Sequence, residues 1–99
     1  MNIVKEQNAN ALNIVLAGRL DTVTAPALSA EVSAEALSGI TALTLDFSEL
    51  EYISSAGLRV LLAAQKIMNK QGAMIIKNVN NTIMEVLEIT GFVDILTIQ

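Results

Sequence analysis

Two adjacent hydroxyls carry the clearest chemical potential in this sequence. Ser54 and Ser55 sit in the run Asp46-Phe47-Ser48-Glu49-Leu50-Glu51-Tyr52-Ile53-Ser54-Ser55-Ala56-Gly57-Leu58-Arg59, where an extended apolar stretch gives way to helical spacing. A hydroxyl at a helix start has three uses. Ser54 can accept a hydrogen bond from the free amides of the first turn as an N-cap, with Ser55 an ordinary first-turn residue. A serine can also act as a nucleophile when a base takes its proton. Finally, an exposed hydroxyl on a helix start can accept a phosphoryl group and gain about −1.5 to −2 of charge. Spacing by itself favours the cap. The nucleophile ranks last, because the chain has no His, no lysine lies near this turn in sequence, and Gly-x-Ser-x-Gly is absent.

Other chemistries are excluded by what is missing. With no Cys and no His there is no thiol nucleophile, zinc ribbon, usual haem ligand or Ser-His-Asp triad within the chain. Neither Gly-x-Gly-x-x-Gly nor a P-loop follows any strand, so no resident cofactor is expected. Asp46, Glu49 and Glu51 lie close in sequence, but a cation site needs several converging oxygens, and a solvated loop is the expected reading. Ten acidic residues against six basic ones give a net charge of −4, the wrong sign for binding nucleic acid through phosphates. Three aromatics, Phe47, Tyr52 and Phe92, are too few for a base-stacking platform. Mean hydropathy is high at +0.53. Yet the longest uncharged run, Gln7–Gly18, holds four Asn or Gln residues, whereas a membrane span needs about 20 mostly apolar ones. The start, Met1-Asn2-Ile3-Val4-Lys5-Glu6-Gln7-Asn8, lacks the basic and apolar regions of a signal peptide. The expectation is a cytoplasmic protein with its hydrophobicity in a core.

The elements that position the serines follow from periodicity. Ninety-nine residues suit one domain, 1–99. Leu12, Ile14 and Leu16 alternate with Asn13, Val15 and Ala17, which predicts a strand over 12–17. Gly18–Thr24 reads as a loop. Pro26 opens a helix whose Leu28, Val32 and Ala36 recur at i+4, closed by Gly39. Thr41–Phe47 is a strand with Leu43, Leu45 and Phe47 inward. A second helix runs from about Ser55 to Lys70, with Leu58, Leu61, Leu62 and Met68 on its apolar face and Arg59, Lys66 and Lys70 opposite. Ala73–Lys77 reads as a strand buried on both faces. Asn80 or Asn81 caps a third helix, Thr82 and Glu85 have capping-box spacing, and Gly91 ends it. Residues 93–98 suggest a last strand, and Asn2–Glu6 an edge strand. Met68 and Met74 are expected in the core, with Met84 partly exposed. The order (β)βαβαβαβ predicts an α/β fold, a mixed sheet of four to five strands with three to four helices and an antiparallel first pair.

Two motifs within this order match a known family. Gly18-Arg19-Leu20-Asp21-Thr22-Val23-Thr24-Ala25 is similar to a Gly-x-Leu-Asp-x-x-Thr-Ala loop, and Tyr52-Ile53-Ser54-Ser55-Ala56-Gly57-Leu58 to an Asp-Ser-Ser/Thr-Gly-Leu phosphorylation loop. Over nearly its whole length the chain resembles the STAS-domain anti-sigma factor antagonists of bacterial partner-switching systems. The resemblance implies that Ser55 is the phosphoacceptor and that Asp21 lies beside it. It further implies that Asp21, Thr22, Ser54, Ser55, Ala56, Gly57 and Arg59 contact a partner. Ser54 stands where many members have Asp, and Ala56 where they have Ser or Thr, which makes Ser54 a competing acceptor. The implied partners are an anti-sigma factor that is also a serine kinase and a metal-dependent Ser/Thr phosphatase that resets Ser55. ATP and metal belong to those partners. The chain is then a substrate rather than an enzyme, and a monomer when free. The implied alternative is a constitutive subunit of a lipid-transport complex or stress-signalling scaffold, with no phosphoswitch.

Overall fold

Alternating apolar residues build the sheet, and each departure from alternation marks a place where the fold departs from simple expectation. The computed structural model describes residues 1–99. Four strands are present: β1 (Asn2–Asn8), β2 (Ala11–Leu20), β3 (Ala42–Ile53) and β4 (Ala73–Lys77). The helices are α1 (Ala25–Glu31), α2 (Ser55–Met68) and α3 (Asn81–Ile89), and a single 3-10 turn covers Phe92–Asp94. The sheet order is β1-β2-β3-β4. β1 is antiparallel to β2, and β2, β3 and β4 are parallel. Both crossovers step the same way across the sheet, so right-handed connections set α1 and α2 on one face. The core beneath them includes Ile14, Leu16, Leu28, Leu45, Phe47, Leu61, Met68 and Met74, with Leu87 from α3, and β1 contributes no fully buried residue.

Four expectations need correction. β2 does not stop at Ala17: it continues through Gly18, whose φ of +100° only glycine adopts easily, to Leu20. β3 likewise runs beyond Phe47 to Ile53, because two extra residues bulge out of it. Val15 and Ala17 pair with Asp46 and Glu49, and Gly18 and Arg19 with Leu50 and Tyr52. Each bulge resets the alternation, so the inward positions after Phe47 are Leu50 and Ile53. α1 ends at Glu31 rather than near Gly39. The Ser33 hydroxyl donates to the Ala30 carbonyl and accepts from the Ala36 N–H, which diverts the backbone into turns that still bury Leu37 and Ile40.

The last expected strand, 93–98, is the 3-10 turn followed by one parallel bridge, Ile76 to Ile98. Gly91 turns the chain at a φ of +79°, and Leu96 then tucks into the core. Two smaller expectations also change. β4 is buried on the helix side only, at Met74 and Ile76, because no helix covers the other face. α3 is capped by Asn80, whose side-chain oxygen accepts from the Ile83 N–H at 2.8 Å, and no hydrogen bond joins Thr82 and Glu85. The same Asn80 amide donates to the Leu50 carbonyl at 2.9 Å, so one side chain starts the helix and ties it to the bulged part of β3.

Candidate functional site

β2 and β3 end level with one another, Leu20 opposite Ile53. Parallel strands open their following loops on a common edge, where α/β sheets characteristically bind ligands. Here that edge joins the two motifs. The Ser54 N–H donates to the Leu20 carbonyl at 2.9 Å. Ser54 takes an extended backbone, and its hydroxyl oxygen accepts from the Gly57 N–H at 3.4 Å as the N-cap of α2. Gly57 is buried: a Cβ on it would stand 2.7 Å from Leu20 Cγ and 3.0 Å from Ile53 Cγ1. Its lack of a side chain therefore lets α2 begin directly on the ends of both strands.

The two serines are thereby given different work. The Ser54 hydroxyl is committed to the cap. Ser55, the first residue of α2, is exposed and makes no side-chain hydrogen bond within the chain.

The other loop is stiffened by Asp21. Its Oδ1 accepts from the N–H groups of Val23 at 3.0 Å and Thr24 at 3.1 Å. In return the Asp21 N–H donates to Thr24 Oγ1 at 2.9 Å, and the Thr24 hydroxyl donates to the Arg19 carbonyl at 2.7 Å. Arg19 Nε lies 3.8 Å from Asp21 Oδ2, while its guanidinium stacks 4.1 Å above the Tyr52 ring. The Thr24 N–H holds the Asp21 carboxyl below its ordinary range; burial opposes this, and the Val23 N–H and Arg19 act with it. Asp46 is lowered too, first by the Asn78 amide at 3.0 Å and also by the Ser48 N–H at 2.9 Å, which commits it to a turn rather than to a cation.

These depressed values set a pH dependence. Each carboxylate stabilises the fold above the ordinary pKa of 3.8, and the contribution is lost as pH falls through the lower folded-state value. Asp21→Asn and Asp46→Asn are each expected to make the fall in urea midpoint between about pH 5 and pH 3 shallower than in the parent. An unaltered slope in both would contradict the hydrogen bonding described.

Between α1 and the first half of α2 runs an open groove of about 440 Å³, lined among others by Thr22, Ala25, Ser29, Ala56, Arg59 and Val60. Three of the residues singled out from the sequence (Thr22, Ala56 and Arg59) thus share one groove. Ser55 precedes Ala56 beside it, whereas Asp21, Ser54 and Gly57 shape the edge through hydrogen bonds and packing. Arg59, Lys66 and Lys70 are all exposed, and none forms an ion pair within the chain. Sequence reasoning missed Val23, which projects from the loop 86% exposed, and the Arg19–Tyr52 stack. The only available signal for Val23 was an aliphatic residue inside a loop motif.

The family description "Mlab, STAS domain" matches residues 3–97. The chain belongs to the STAS domain family. It is 34% identical over 99 residues to BtrV of Bordetella bronchiseptica, covering 99% of this chain and 85% of that protein. To the anti-sigma-B factor antagonist of Bacillus subtilis it is 29% identical, covering 100% of this chain and 91% of that one. The fold is shared with the Bacillus anti-sigma factor antagonist SpoIIAA. Its unphosphorylated form superposes with a TM-score of 0.78 at 19% identity, covering 99% of this chain and 87% of that one. Its phosphorylated form superposes at 0.77 and 21%, covering 99% and 91%. Such proteins are regulatory binding proteins rather than enzymes.

Proposed function

We propose that this chain is an anti-sigma factor antagonist controlled by phosphorylation of Ser55. In its unmodified form it docks an anti-sigma factor that is also a serine kinase and so frees the client that the kinase sequesters. The kinase transfers the γ-phosphoryl group of ATP to Ser55: the bond from Oγ to phosphorus forms as the β–γ bridging bond breaks. ADP leaves, the hydroxyl proton passes to solvent, and the antagonist is released. A Ser/Thr phosphatase hydrolyses the ester and resets the cycle. The kinase and the phosphatase carry the ATP and metal chemistry. The cycle runs in the cytoplasm, and no helix of the chain is long and apolar enough to cross a membrane.

One observation carries the reading. Of two adjacent hydroxyls, the Ser55 hydroxyl is exposed and unbonded at the start of a rigid helix, while that of Ser54 is occupied as the cap. A kinase needs a hydroxyl it can reach without unfolding the helix start. The names of similar proteins support the same role: one relative is an anti-sigma-B factor antagonist, and SpoIIAA has a phosphorylated form.

The test is phosphoryl incorporation from labelled ATP by the cognate anti-sigma factor kinase. The parent and Ser54→Ala are expected to take up label, although the latter loses its cap and about 0.5–1 kcal/mol of stability. Ser55→Ala is expected to take up none while still binding the kinase. Label entering Ser55→Ala at the parental rate would move the acceptor elsewhere. No label in the parent would favour the constitutive-subunit role.

A further inference from the structure

α2 contains no acidic residue, although the whole chain is net negative. The chain's two ion pairs are Lys5–Glu31 and Arg19–Asp21. Arg59 belongs to neither, is exposed, and is the one charged residue lining the groove between α1 and α2. It also stands four residues after Ser55 on the same helix. At 3.6 residues per turn, positions i and i+4 are neighbours on one side of a helix, and an anion N-terminal to a cation is the favourable order. A guanidinium presents a fixed fork of donors that fits phosphate oxygens. Ser54 is differently placed: its hydroxyl caps Gly57, and i+5 spacing turns it away from Arg59.

We propose that Arg59 pairs with the phosphate on Ser55 within its own helix. One modification then does two things: it adds a dianion beside the groove, and it withdraws the groove's one cation from the acidic group of a partner that would otherwise meet it. This rests on the reading of Ser55 as phosphoacceptor. In the unmodified chain Arg59 has no internal competitor and is open to a partner's carboxylate; in the modified chain the phosphate is always nearby and wins. The partner surface that fits the groove is therefore acidic at the point that meets Arg59, with small apolar neighbours to lie along Ala56 and Val60.

The experiment uses the full chain with phosphoserine installed at position 55 during synthesis, without any kinase, and follows the second phosphate ionisation by phosphorus NMR. Arg59→Gln is expected to raise that pKa by about 0.3 unit, the size an i,i+4 helix ion pair supports. Arg59→Lys should restore most of the difference. Lys66→Gln, farther along the same helix, should leave it unchanged, as should Arg59→Gln when the phosphoserine is placed at 54. The proposal is overturned if Arg59→Gln titrates like the parent, or if Lys66→Gln moves the value as far. Circular dichroism checks that each exposed-site variant folds. Since the phosphate is installed directly, a kinase that ignores Ser55 would leave this result standing. Conversely, a missing pair would leave Ser55 as an acceptor.

Discussion

Phosphoserine at position 55 is expected to weaken docking of the cognate anti-sigma factor by about 100-fold, measured by titration calorimetry against the unmodified chain. Two effects compete to explain such a release, and their sizes decide between them. A phosphate near the start of α2 gains only about 0.3–1 kcal/mol from the helix dipole. Inverting a two-state equilibrium from 1:99 to 99:1 takes about 5.5 kcal/mol, so the phosphate does not refold the domain. By contrast, a charge buried in an interface costs several kcal/mol even after relaxation, and about 3 kcal/mol is already 100-fold in affinity.

The structure suits the second route. Ser55 lies beside a groove lined mainly by apolar residues such as Ala25, Ala56 and Val60, with the hydroxyls of Thr22 and Ser29 and a single cation, Arg59, to offset a buried phosphate. Chemical shifts on phosphorylation should therefore change near residues 20–24 and 54–60 and leave the core around Phe47 and Leu61 in place. Ser55→Glu should weaken docking less than phosphate, having one negative charge and a different shape. An equal dissociation constant for the phosphorylated and unmodified chains would rule out Ser55 as part of the docking surface.

Gly72→Ala is expected to be the most damaging single methyl that can be added to the glycines of this chain. A Cβ at Gly72 would stand 1.9 Å from the Thr41 carbonyl oxygen and 2.6 Å from the carbonyl carbon. Both obstacles are backbone. That oxygen also accepts the Ala73 N–H at 3.0 Å, and the Thr41 N–H donates to the Asn10 carbonyl at 2.9 Å. Any displacement of Thr41 thus disturbs the shared start of β3 and β4 together with the turn out of β1. Overpacking and hydrogen-bond loss together should cost about 3 kcal/mol or more. For a domain of this size that lowers the melting temperature by roughly 12–20 °C. Gly39→Ala is the instructive comparison. Gly39 has a φ of +81° but nothing within 4 Å of its Cβ, so only the left-handed backbone is penalised, at about 1–2 kcal/mol. Thermal melts giving Gly72→Ala the smaller loss would mean that the turn yields at little cost.

The parts of this fold that could be read from sequence are those encoded by near neighbours. Leu12, Ile14 and Leu16 announce β2, Ser54 announces the cap of α2, the pair Asn80 and Asn81 narrows the cap of α3 to two positions, and Gly91 announces the end of α3. Each signal spans five residues or fewer, and each holds in the structure. Reading failed where a local signal was overruled. Leu50 and Ile53 break the alternation begun at Leu43, so the second half of β3 looked like a loop; the bulges that rephase it exist only in its pairing with β2. Ser33 looked like any polar position on a helix until its hydroxyl bonded the backbone on both sides.

The site divides in the same way. Composition alone made the two serines at a helix start poor candidates for catalysis in a chain without His or Cys, and a regulatory use for them was implied only by the resemblance of the two motifs to a family. Ser54 as the cap was legible in the spacing; only the tertiary structure showed what holds it there, because Gly57 presents the amide that the Ser54 hydroxyl meets by packing bare against Leu20, while Ser55 stays exposed. Only the structure could also put Thr22 and Arg59 into one groove. Periodicity and capping are set within a few residues of chain, whereas strand register and the meeting of two loops are set by contacts between residues distant in sequence, and those depend on how the whole core packs.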